Sequence, residues 1–370
     1  MDEASLYQIS ISTLLVGWFI ALILVWVRYD RLKHGKLLLT AILLWPLMLT
    51  DEWLKLSQMH DGLSFLIGTT QFVPVIIAAT LLLSIRQLTI KKYANNGMLF
   101  FIPALLLAAG QWPLLMLPEE TKIAFLYSPP AGDILTNWPY IAPYLFGAFV
   151  MLSYAVHSAE YLSSYHFYLS DQVVDIDMYQ FRIANNGCYV LIFVAMLNLL
   201  ILGLVIFNWQ PFSQWQQVLN ISNAGALLFL MLILLEKRRI SPTPFTEAEF
   251  DKNAFTEEQL RATLKQAEQA IIKYKAYKRK GLRIEQVCHV AELNPAALAL
   301  ATRFILKRNF RAFIYHYRLE YAKKVLMRTD QKVTSVAKRL GFNSEKYLSN
   351  MFIKYIHMMS RKEQQKPNQP

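Results

Sequence analysis

Long apolar runs dominate the first two thirds of the chain. Residues 8–27 form one such run, of about the twenty residues that an α-helix needs to cross a bilayer. Six further runs follow, at about 37–56, 63–85, 98–118, 139–157, 187–208 and 217–235. The pattern therefore predicts a bundle of seven transmembrane helices in residues 1–235. Prolines inside the runs, such as Pro46 and Pro103, are compatible with spanning helices because neighbouring helices satisfy the freed backbone groups.

The loops between these runs differ in charge. The first loop carries four basic residues and the third carries three, whereas the second and fourth carry one each. Because cytoplasmic loops are enriched in Lys and Arg, this places the N-terminus outside and the C-terminus in the cytoplasm. The loop at about 158–186 is acidic instead. Two interpretations stay open for it: a solvated loop, or a partner surface for the basic part of the chain.

A helix is predicted to link the two parts. Thr256 and Gln259 have the spacing of a capping box, which predicts a helix from there to about Lys280. Its apolar residues alternate in steps of four and three, at Leu260, Leu264, Ala267, Ile271 and Tyr274. Such a seam indicates either a homodimer contact through residues 256–280 or packing onto the domain that follows.

The C-terminal part carries a helical pattern twice. Apolar residues at i, i+3, i+4 and i+7 occur at Val333, Val336, Ala337 and Leu340. Gly341 follows, where a helix favours a left-handed residue, and a second helix with an outward polar face comes next. Two short helices around a tight turn are typical of a helix-turn-helix. The same spacing occurs 49 residues earlier, at Ile284, Val287, Cys288 and Ala291, and predicts a second such unit.

Two motifs extend this pattern. The stretch that begins at Arg318 reads R-hydrophobic-x-x-A-x-x-hydrophobic-L, with Leu319, Ala322, Val325 and Leu326. A longer motif follows at Ala337, Leu340, Gly341, Phe342, Ser344, Tyr347, Leu348, Ser349 and Phe352. Through both motifs, residues 273–363 resemble the DNA-binding domain of the AraC/XylS family of bacterial transcription regulators. The resemblance implies two helix-turn-helix units on a long linking helix, with double-stranded DNA as the partner.

The resemblance also suggests roles for polar residues. Base edges would be read in the second unit by Ser344, Glu345, Lys346, Ser349 and Asn350. The first recognition helix, at residues 295–306, has alanines where polar readers are usual, so Thr302 and Arg303 are its evident candidates. Arg303 and the basic residues Lys307, Arg308, Lys338, Arg339 and Lys354 would contact phosphate.

Charge divides the chain where the apolar runs end. Residues 1–235 hold 10 Lys/Arg against 13 Asp/Glu, a net of −3, whereas residues 236–370 hold 28 against 13, a net of +15. This asymmetry points to a membrane part joined to a part that binds a polyanion. The two cysteines, Cys188 and Cys288, lie one in each part and are expected to be reduced structural thiols.

No catalytic pattern is evident in the sequence. The seven histidines lack metal-ligand spacing, and there is no Gly-rich phosphate loop or nucleophile elbow. We therefore expect no enzymatic activity, no cofactor and no metal. The candidate ligand site is a set of polar residues toward the outer half of the predicted spans, Asp51, Glu52, Gln111, Asn220 and Asn223, with Trp53 and Trp112 as an apolar wall. Location at the outer interface for the acids, and interhelical hydrogen bonding for the asparagines, are the alternatives.

The sequence thus predicts an all-α protein with a seven-helix membrane sensor at 1–235, a linker and connecting helix at 236–280, a cytoplasmic double helix-turn-helix domain at 281–363 and a disordered tail at 364–370. The predicted function is a sequence-specific transcription regulator in the bacterial inner (cytoplasmic) membrane. Its partners are double-stranded DNA, the lipid bilayer and a small-molecule signal, which would act through the helix after Thr256. The alternative is a membrane receptor whose degenerate helix-turn-helix domain serves as a protein-interaction module.

Overall fold

The chain divides into two structural units. The computed structural model describes residues 3–29, 35–58, 62–89, 96–127, 134–207, 209, 212–236, 255–328, 332–342, 346 and 348–353. One unit comprises Met1–Ser164 and Phe181–Lys237, and the other comprises Tyr165–Gln180 and Arg238–Pro370. Within the described residues, regular structure is helical, with an isolated β-bridge between Val173 and Arg283. The all-α prediction is confirmed, whereas the predicted tail at 364–370 lies outside the described residues.

The first unit is built of apolar helices. In the described part these are α1 Glu3–Arg28, α2 Gly35–Leu44, α3 Thr50–Ser57, α4 Val73–Thr89, α5 Ile102–Gly110, α6 Trp112–Leu115, α7 Glu119–Tyr127, α8 Ile134–Leu169, α9 Arg182–Ile206 and α10 Phe212–Leu234. Short 3₁₀ turns lie at Trp45–Leu49, Ser64–Leu66 and Asn96–Phe101. The C-terminal end of α8 belongs to the second unit.

Among the residues that the structure describes, five helical segments are long and apolar enough to cross a bilayer. They are Tyr7–Arg28, Gly35–Ser57, Trp138–Leu169, Arg182–Ile206 and Trp215–Leu234. Two shorter apolar helices, Val73–Thr89 and Gly97–Gly110, lie where the third and fourth runs were predicted. These findings are compatible with a membrane protein.

Some of the predicted spans are interrupted. The run 37–56 is split between α2 and α3 because Pro46 opens a 3₁₀ turn and lacks the N–H of a regular helix. The run 63–85 becomes helical only at Val73, because turns occupy its first residues and Gly68 there has a left-handed backbone (φ +68°). Pro103 lies in the first turn of α5, where a missing N–H has little cost.

The described helices of the second unit include α11 Glu257–Lys273, α12 Ile284–Ala291, α13 Pro295–Phe304, α14 Phe310–Arg328 and α15 Val333–Leu340, and residues 348–353 are helical as well. The predicted capping box opens α11, since Thr256 accepts from the Gln259 N–H while its own N–H donates to the Gln259 side chain. This helix ends at Lys273 rather than near Lys280. The reason is local, because Lys275 adopts a left-handed backbone (φ +51°) ahead of a 3₁₀ turn.

The apolar seam of α11 is an internal surface. Leu260, Leu264, Ala267 and Ile271 are all buried in the core that the second unit forms around α12, α13 and α14. Of the two interpretations of this seam, packing onto the following domain is therefore the one that the structure contains. Tyr274, the last residue of the predicted seam, is exposed, and a homodimer through residues 256–280 stays a prediction.

Candidate nucleic-acid interface

The first helix-turn-helix consists of α12 and α13. Glu292 ends α12 with a left-handed backbone (φ +52°), and Asn294 caps α13 by accepting a hydrogen bond from the N–H of Ala296 (2.9 Å). The stretch from Ala297 to Thr302 is entirely buried. The hydroxyl of Thr302, a predicted base reader, donates to the carbonyl of Ala299 (2.9 Å) inside the fold. Only the two ends of α13 are left to meet a ligand.

The second helix-turn-helix begins with α15. Val336, Ala337 and Leu340 bury its apolar face, and Gly341 ends it with φ +81°, as the sequence predicts. Residues 348–353 are helical, with Leu348 buried and Phe352 packed against the same core. The two units thus flank the linking helix α14.

The structure describes some of the predicted base-reading residues of the second helix-turn-helix. Lys346, Ser349 and Asn350 are exposed, as a base-reading side chain has to be. The other predicted contacts Ser344, Glu345 and Lys354 lie outside the described residues. An exposed polar row next to a buried Leu348 is the arrangement that a recognition helix needs.

Cations surround these helices. Lys338 and Arg339 are exposed on α15, Lys307 is exposed with a left-handed backbone (φ +52°), and Arg308 is half-buried. Arg339 donates to the hydroxyl of Tyr321 (2.7 Å), and the Lys278 ammonium lies 4.0 Å from the centre of the Tyr321 ring. The hydrogen bond from Lys278 and the positive charge of both cations lower the pKa of Tyr321. The surface is therefore positive enough to favour an anionic partner.

An acidic segment from between two apolar helices completes the second unit. The segment 170–175 follows α8 and pairs with the start of the first helix-turn-helix: the N–H of Val174 donates to Leu282 O (3.0 Å), and the N–H of Ile284 donates to Gln172 O (2.7 Å). Val174 is fully buried in the helical core. Of the two interpretations of this loop, solvated or a partner surface for the basic part of the chain, the structure contains the second for residues 170–175.

Asp175 is the innermost acid of this segment. Its carboxylate forms two hydrogen bonds with the Arg318 guanidinium (2.6 and 3.1 Å) and accepts a third from the N–H of Gly281 (2.5 Å). Arg318 is fully buried and also donates to the carbonyl oxygens of Tyr277 and Arg279. A side chain at Gly341 would meet this pair, since an added Cβ would lie 3.4 Å from Asp175 Oδ1. One ion pair therefore joins both helix-turn-helix units to the linking helix.

A second ion pair involves Arg303, a predicted base reader of the first helix-turn-helix. Both guanidinium nitrogens of Arg303 that face Asp171 donate to its carboxylate, at 3.1 and 2.7 Å. The Asp171 side chain is fully buried, whereas that of Arg303 remains 32% exposed. Burial raises the pKa of Asp171, and the hydrogen bonds from Arg303 oppose this shift. The rings of Phe167 and Tyr168 lie 5.6 and 5.7 Å from the same guanidinium.

Some of the predicted ligand residues, which belong to the unit of apolar helices, lie close together. Asn220 donates to Glu52 (3.0 Å), and the Tyr7 hydroxyl donates to the other oxygen of that carboxylate. Next to it in sequence, Asp51 accepts from the Gly68 N–H (3.0 Å), while Gln111 donates to the Gly68 carbonyl (3.2 Å). Four of the predicted ligand residues are buried here, namely Asp51, Glu52, Gln111 and Asn220. We call these four residues the polar centre.

Other features of the predicted pocket differ. Asn223 belongs to a separate pair, in which its side-chain oxygen accepts from Asn198 (2.6 Å). Trp53 and Trp112 are exposed, so neither forms the expected wall. Sequence reasoning missed Gln216, which donates to the hydroxyls of Tyr140 (2.7 Å) and Tyr144 (3.3 Å). The signal was present, because two tyrosines spaced by four in an apolar run lie on one helix face.

Comparison with known proteins identifies one part of the chain. A helix-turn-helix domain family matches residues 287–365. This is an AraC-type domain, so the chain carries a DNA-binding domain of the AraC type, as found in transcription regulators. No curated protein and no solved structure matches the chain.

The central ion pair leads to a stability prediction. Asp175→Asn leaves the buried Arg318 guanidinium without an opposite charge, which costs roughly 3–5 kcal/mol. The double change Asp175→Asn with Arg318→Met removes that charge, so it should recover much of the loss. The matched control is Asp177→Asn, an exposed acid two residues beyond the segment 170–175. We expect the order wild type and control, then double variant, then Asp175→Asn.

Cys288 provides the measurement. It is buried in the second unit, and burial, with a smaller contribution from Glu285, raises its pKa to about 12. Because the thiolate is the reactive form, the folded unit should resist a maleimide near neutral pH. The readout is the urea concentration at which Cys288 becomes reactive in full-length Cys188→Ala protein. Equal midpoints for all four proteins would contradict the structural role of the pair.

Proposed function

We propose that the protein is a membrane-bound, sequence-specific transcription regulator of bacteria. In this proposal, residues 1–235 sense a signal in the cytoplasmic membrane and an AraC-type domain binds double-stranded DNA in the cytoplasm. The observation that carries the proposal is the acidic segment 170–175. It lies in sequence between two of the helices that are long and apolar enough to cross a bilayer, and it is folded into the DNA-binding unit.

The bilayer is the natural environment of the first unit. Its long helices keep large apolar side chains exposed, among them Phe19, Trp26, Phe193 and Leu200. Such a surface is stable in lipid, where no water has to be ordered around it. Seven crossings, five by the long segments and two by the shorter apolar helices, agree with the charges of the loops and place the C-terminal domain inside the cell.

DNA binding would divide between readers and anchors. Exposed Lys346, Ser349 and Asn350 are suited to read base edges, while Lys338 and Arg339 on the neighbouring helix are suited to phosphate. The first helix-turn-helix contributes less to DNA binding, since its recognition helix is buried from Ala297 to Thr302.

The polar centre is the proposed signal site. It holds two buried carboxylates, and the Lys55 ammonium approaches them at 3.9 Å from Glu52. Among the described residues, the side-chain oxygens of Gln111 and Gln216 are buried acceptors to which no donor is bound. Excess acceptors and negative charge favour a small cation that donates hydrogen bonds, such as an ammonium compound. The proposal includes no enzymatic step, cofactor or metal.

Coupling would run through the acidic segment. Sequence analysis expected the signal to pass along the helix after Thr256, but α8 and α9 are joined directly by residues that belong to the second unit. A ligand shifts the bundle only by the difference in its affinity for two packings. Any change that moves the end of α8 relative to α9 acts on residues 170–175 without an intervening linker.

A protein-interaction module is the second candidate function for the C-terminal domain. One observation favours it. The recognition helix of the first helix-turn-helix has alanines at 297, 299 and 301, and all three are buried. In this case the exposed polar row at Lys346, Ser349 and Asn350 would bind another protein.

Topology is the first test of the proposal. A reporter that is active only in the cytoplasm should be active when fused after Arg239 and silent when fused near Asp133. The reason is that three predicted crossings, an odd number, lie between the two fusion points. A matched fusion near Pro242 should behave like the fusion after Arg239. The reverse pattern would overturn both the orientation and access of the domain to DNA.

The reader positions are the second test. Lys346→Ala or Asn350→Ala should cost roughly 1–3 kcal/mol at a specific site while leaving binding to random DNA nearly unchanged. Arg339→Ala should weaken binding to all sequences and reduce the salt slope by about one. Binding of full-length protein in detergent is measured by fluorescence anisotropy over a salt series. Equal losses on specific and random DNA for all three variants would remove the reading role and favour the interaction module.

The polar centre is the third test. A series of primary amines, compared with sodium chloride at equal ionic strength, should include a compound that raises the unfolding temperature of the full-length protein, because binding to the native state stabilises it. The double variant Asp51→Asn, Glu52→Gln should lose this shift. The control is Glu119→Gln with Glu120→Gln, also two adjacent acids but exposed. An unchanged shift in the Asp51, Glu52 variant would exclude the polar centre.

A further inference from the structure

The two acids of the inserted segment differ in how firmly they can be held. In the Asp175–Arg318 pair both side chains are almost fully removed from water, at 8% and 0% exposure. Separating them leaves a buried charge, which is strongly unfavourable. In the Asp171–Arg303 pair only the Asp171 side chain is fully buried, and the Arg303 side chain is 32% exposed. Asp175 is therefore an anchor, whereas the partner of Arg303 can be exchanged at modest cost.

Arg303 lies in a strongly basic stretch that contains no acid of its own. Residues 295–311 hold four cations, Arg303, Lys307, Arg308 and Arg311, and no Asp or Glu. The acid that pairs with Arg303 comes from 132 positions away in the chain. The same segment supplies a second acceptor, since the carbonyl of Ser170 accepts from the N–H of Arg311 in the first turn of α14 (3.0 Å). One carboxylate and one carbonyl oxygen thus face the cationic end of the first helix-turn-helix.

This is the donor arrangement that fits a DNA phosphate. A guanidinium binds two oxygens of a phosphate in the same forked geometry as a carboxylate. N–H groups in the first turn of a helix add donors and a positive partial charge. The position also fits, because Arg303 is next to the last residue of α13, the presumed recognition helix.

We propose that Asp171 occupies the DNA-phosphate site of the first helix-turn-helix, so that DNA has to displace it from Arg303. The inference rests on the proposed function and adds a regulatory step to it. Withdrawal of Asp171 makes one more cation available to DNA. Asp171 follows the last residue of α8, Leu169, by two positions, so a shift of that helix end changes the occupancy of Arg303 directly. The anchor at Asp175, four residues further on, keeps the segment folded in the unit during the exchange.

The experiment measures binding of a random-sequence DNA duplex by full-length protein in nonionic detergent over a salt series. Asp171→Asn should bind about 3- to 10-fold more tightly than wild type at the same salt slope, because Arg303 meets a phosphate in both proteins and only the wild type has a carboxylate to displace. Asp177→Asn is the matched control. It removes the same charge from an exposed position between α8 and α9, outside the segment 170–175, so it reports the general effect of charge alone.

The double variant Asp171→Asn, Arg303→Gln closes the cycle. If Arg303 receives the phosphate, this variant should lose the gain in affinity and show a salt slope lower than that of Asp171→Asn by about 0.9. Equal affinities for Asp171→Asn and Asp177→Asn would overturn the proposal, as would a double variant that keeps the gain. Loss of DNA binding by the wild type and every variant would instead overturn the proposed function, and the phosphate site with it.

Folding is checked in each variant by protection of Cys288 from a maleimide. If Asp171→Asn exposes Cys288, the test passes to Arg303→Gln alone in protein that keeps Cys288 protected. At DNA concentrations that saturate the wild type, DNA has displaced Asp171, so this variant should bind more weakly with a slope lower by about 0.9. An unchanged slope would overturn the proposal.

Discussion

The second unit depends on the ion pair between Asp175 and Arg318. A guanidinium without exposure to water has to find an opposite charge and enough acceptors in the protein. Arg318 obtains the charge from Asp175 and the acceptors from Tyr277 and Arg279. Asp175 also accepts a hydrogen bond from the N–H of Gly281, just before the first helix-turn-helix, and lies beside Gly341, in the turn of the second. One carboxylate therefore contacts the linking helix and both helix-turn-helix units. The domain is therefore discontinuous in sequence.

This constraint changes what can be regarded as the DNA-binding domain. The sequence match covers residues 287–365 and the resemblance covers 273–363, and neither contains Asp175. A fragment cut to those limits would keep Arg318 buried and charged but would lose its partner. The AraC-type unit and the acidic segment are thus one folding unit, and the segment in turn is continuous with α8 and α9. A stable form of this domain therefore has to include the acidic segment.

Local features of the chain were predictable, and distant ones were not. The capping box at Thr256, the left-handed Gly341 and the paired helices around α14 follow from residues a few positions apart, where propensity and spacing act. The late start of the helix at Val73 shows where apolar composition overestimated helix length, and the 3₁₀ turn at Pro46 changes the helix type inside a run that hydropathy treats as uniform. The burial of Thr302 depends on tertiary packing, which an alanine-rich helix alone does not reveal. The contact of Asp171 with Arg303 joins residues 132 positions apart, and charge complementarity only suggested a partner surface.

In the proposed function, the two acids give one segment a supporting role and a regulatory role. A segment held only by exchangeable contacts would leave the unit when DNA arrives, and a segment held only by buried ones could not respond to the membrane helices. Here Asp175 and the backbone pairing at Val174 and Ile284 fix the middle of the segment, while Asp171 at its start contacts a partly exposed cation. The exchangeable end is the one nearest to α8, so motion of that helix acts on the weak contact first and leaves the core intact. In the proposed mechanism, separation of these two tasks along four residues would allow the apolar helices to alter DNA affinity without unfolding the AraC-type domain.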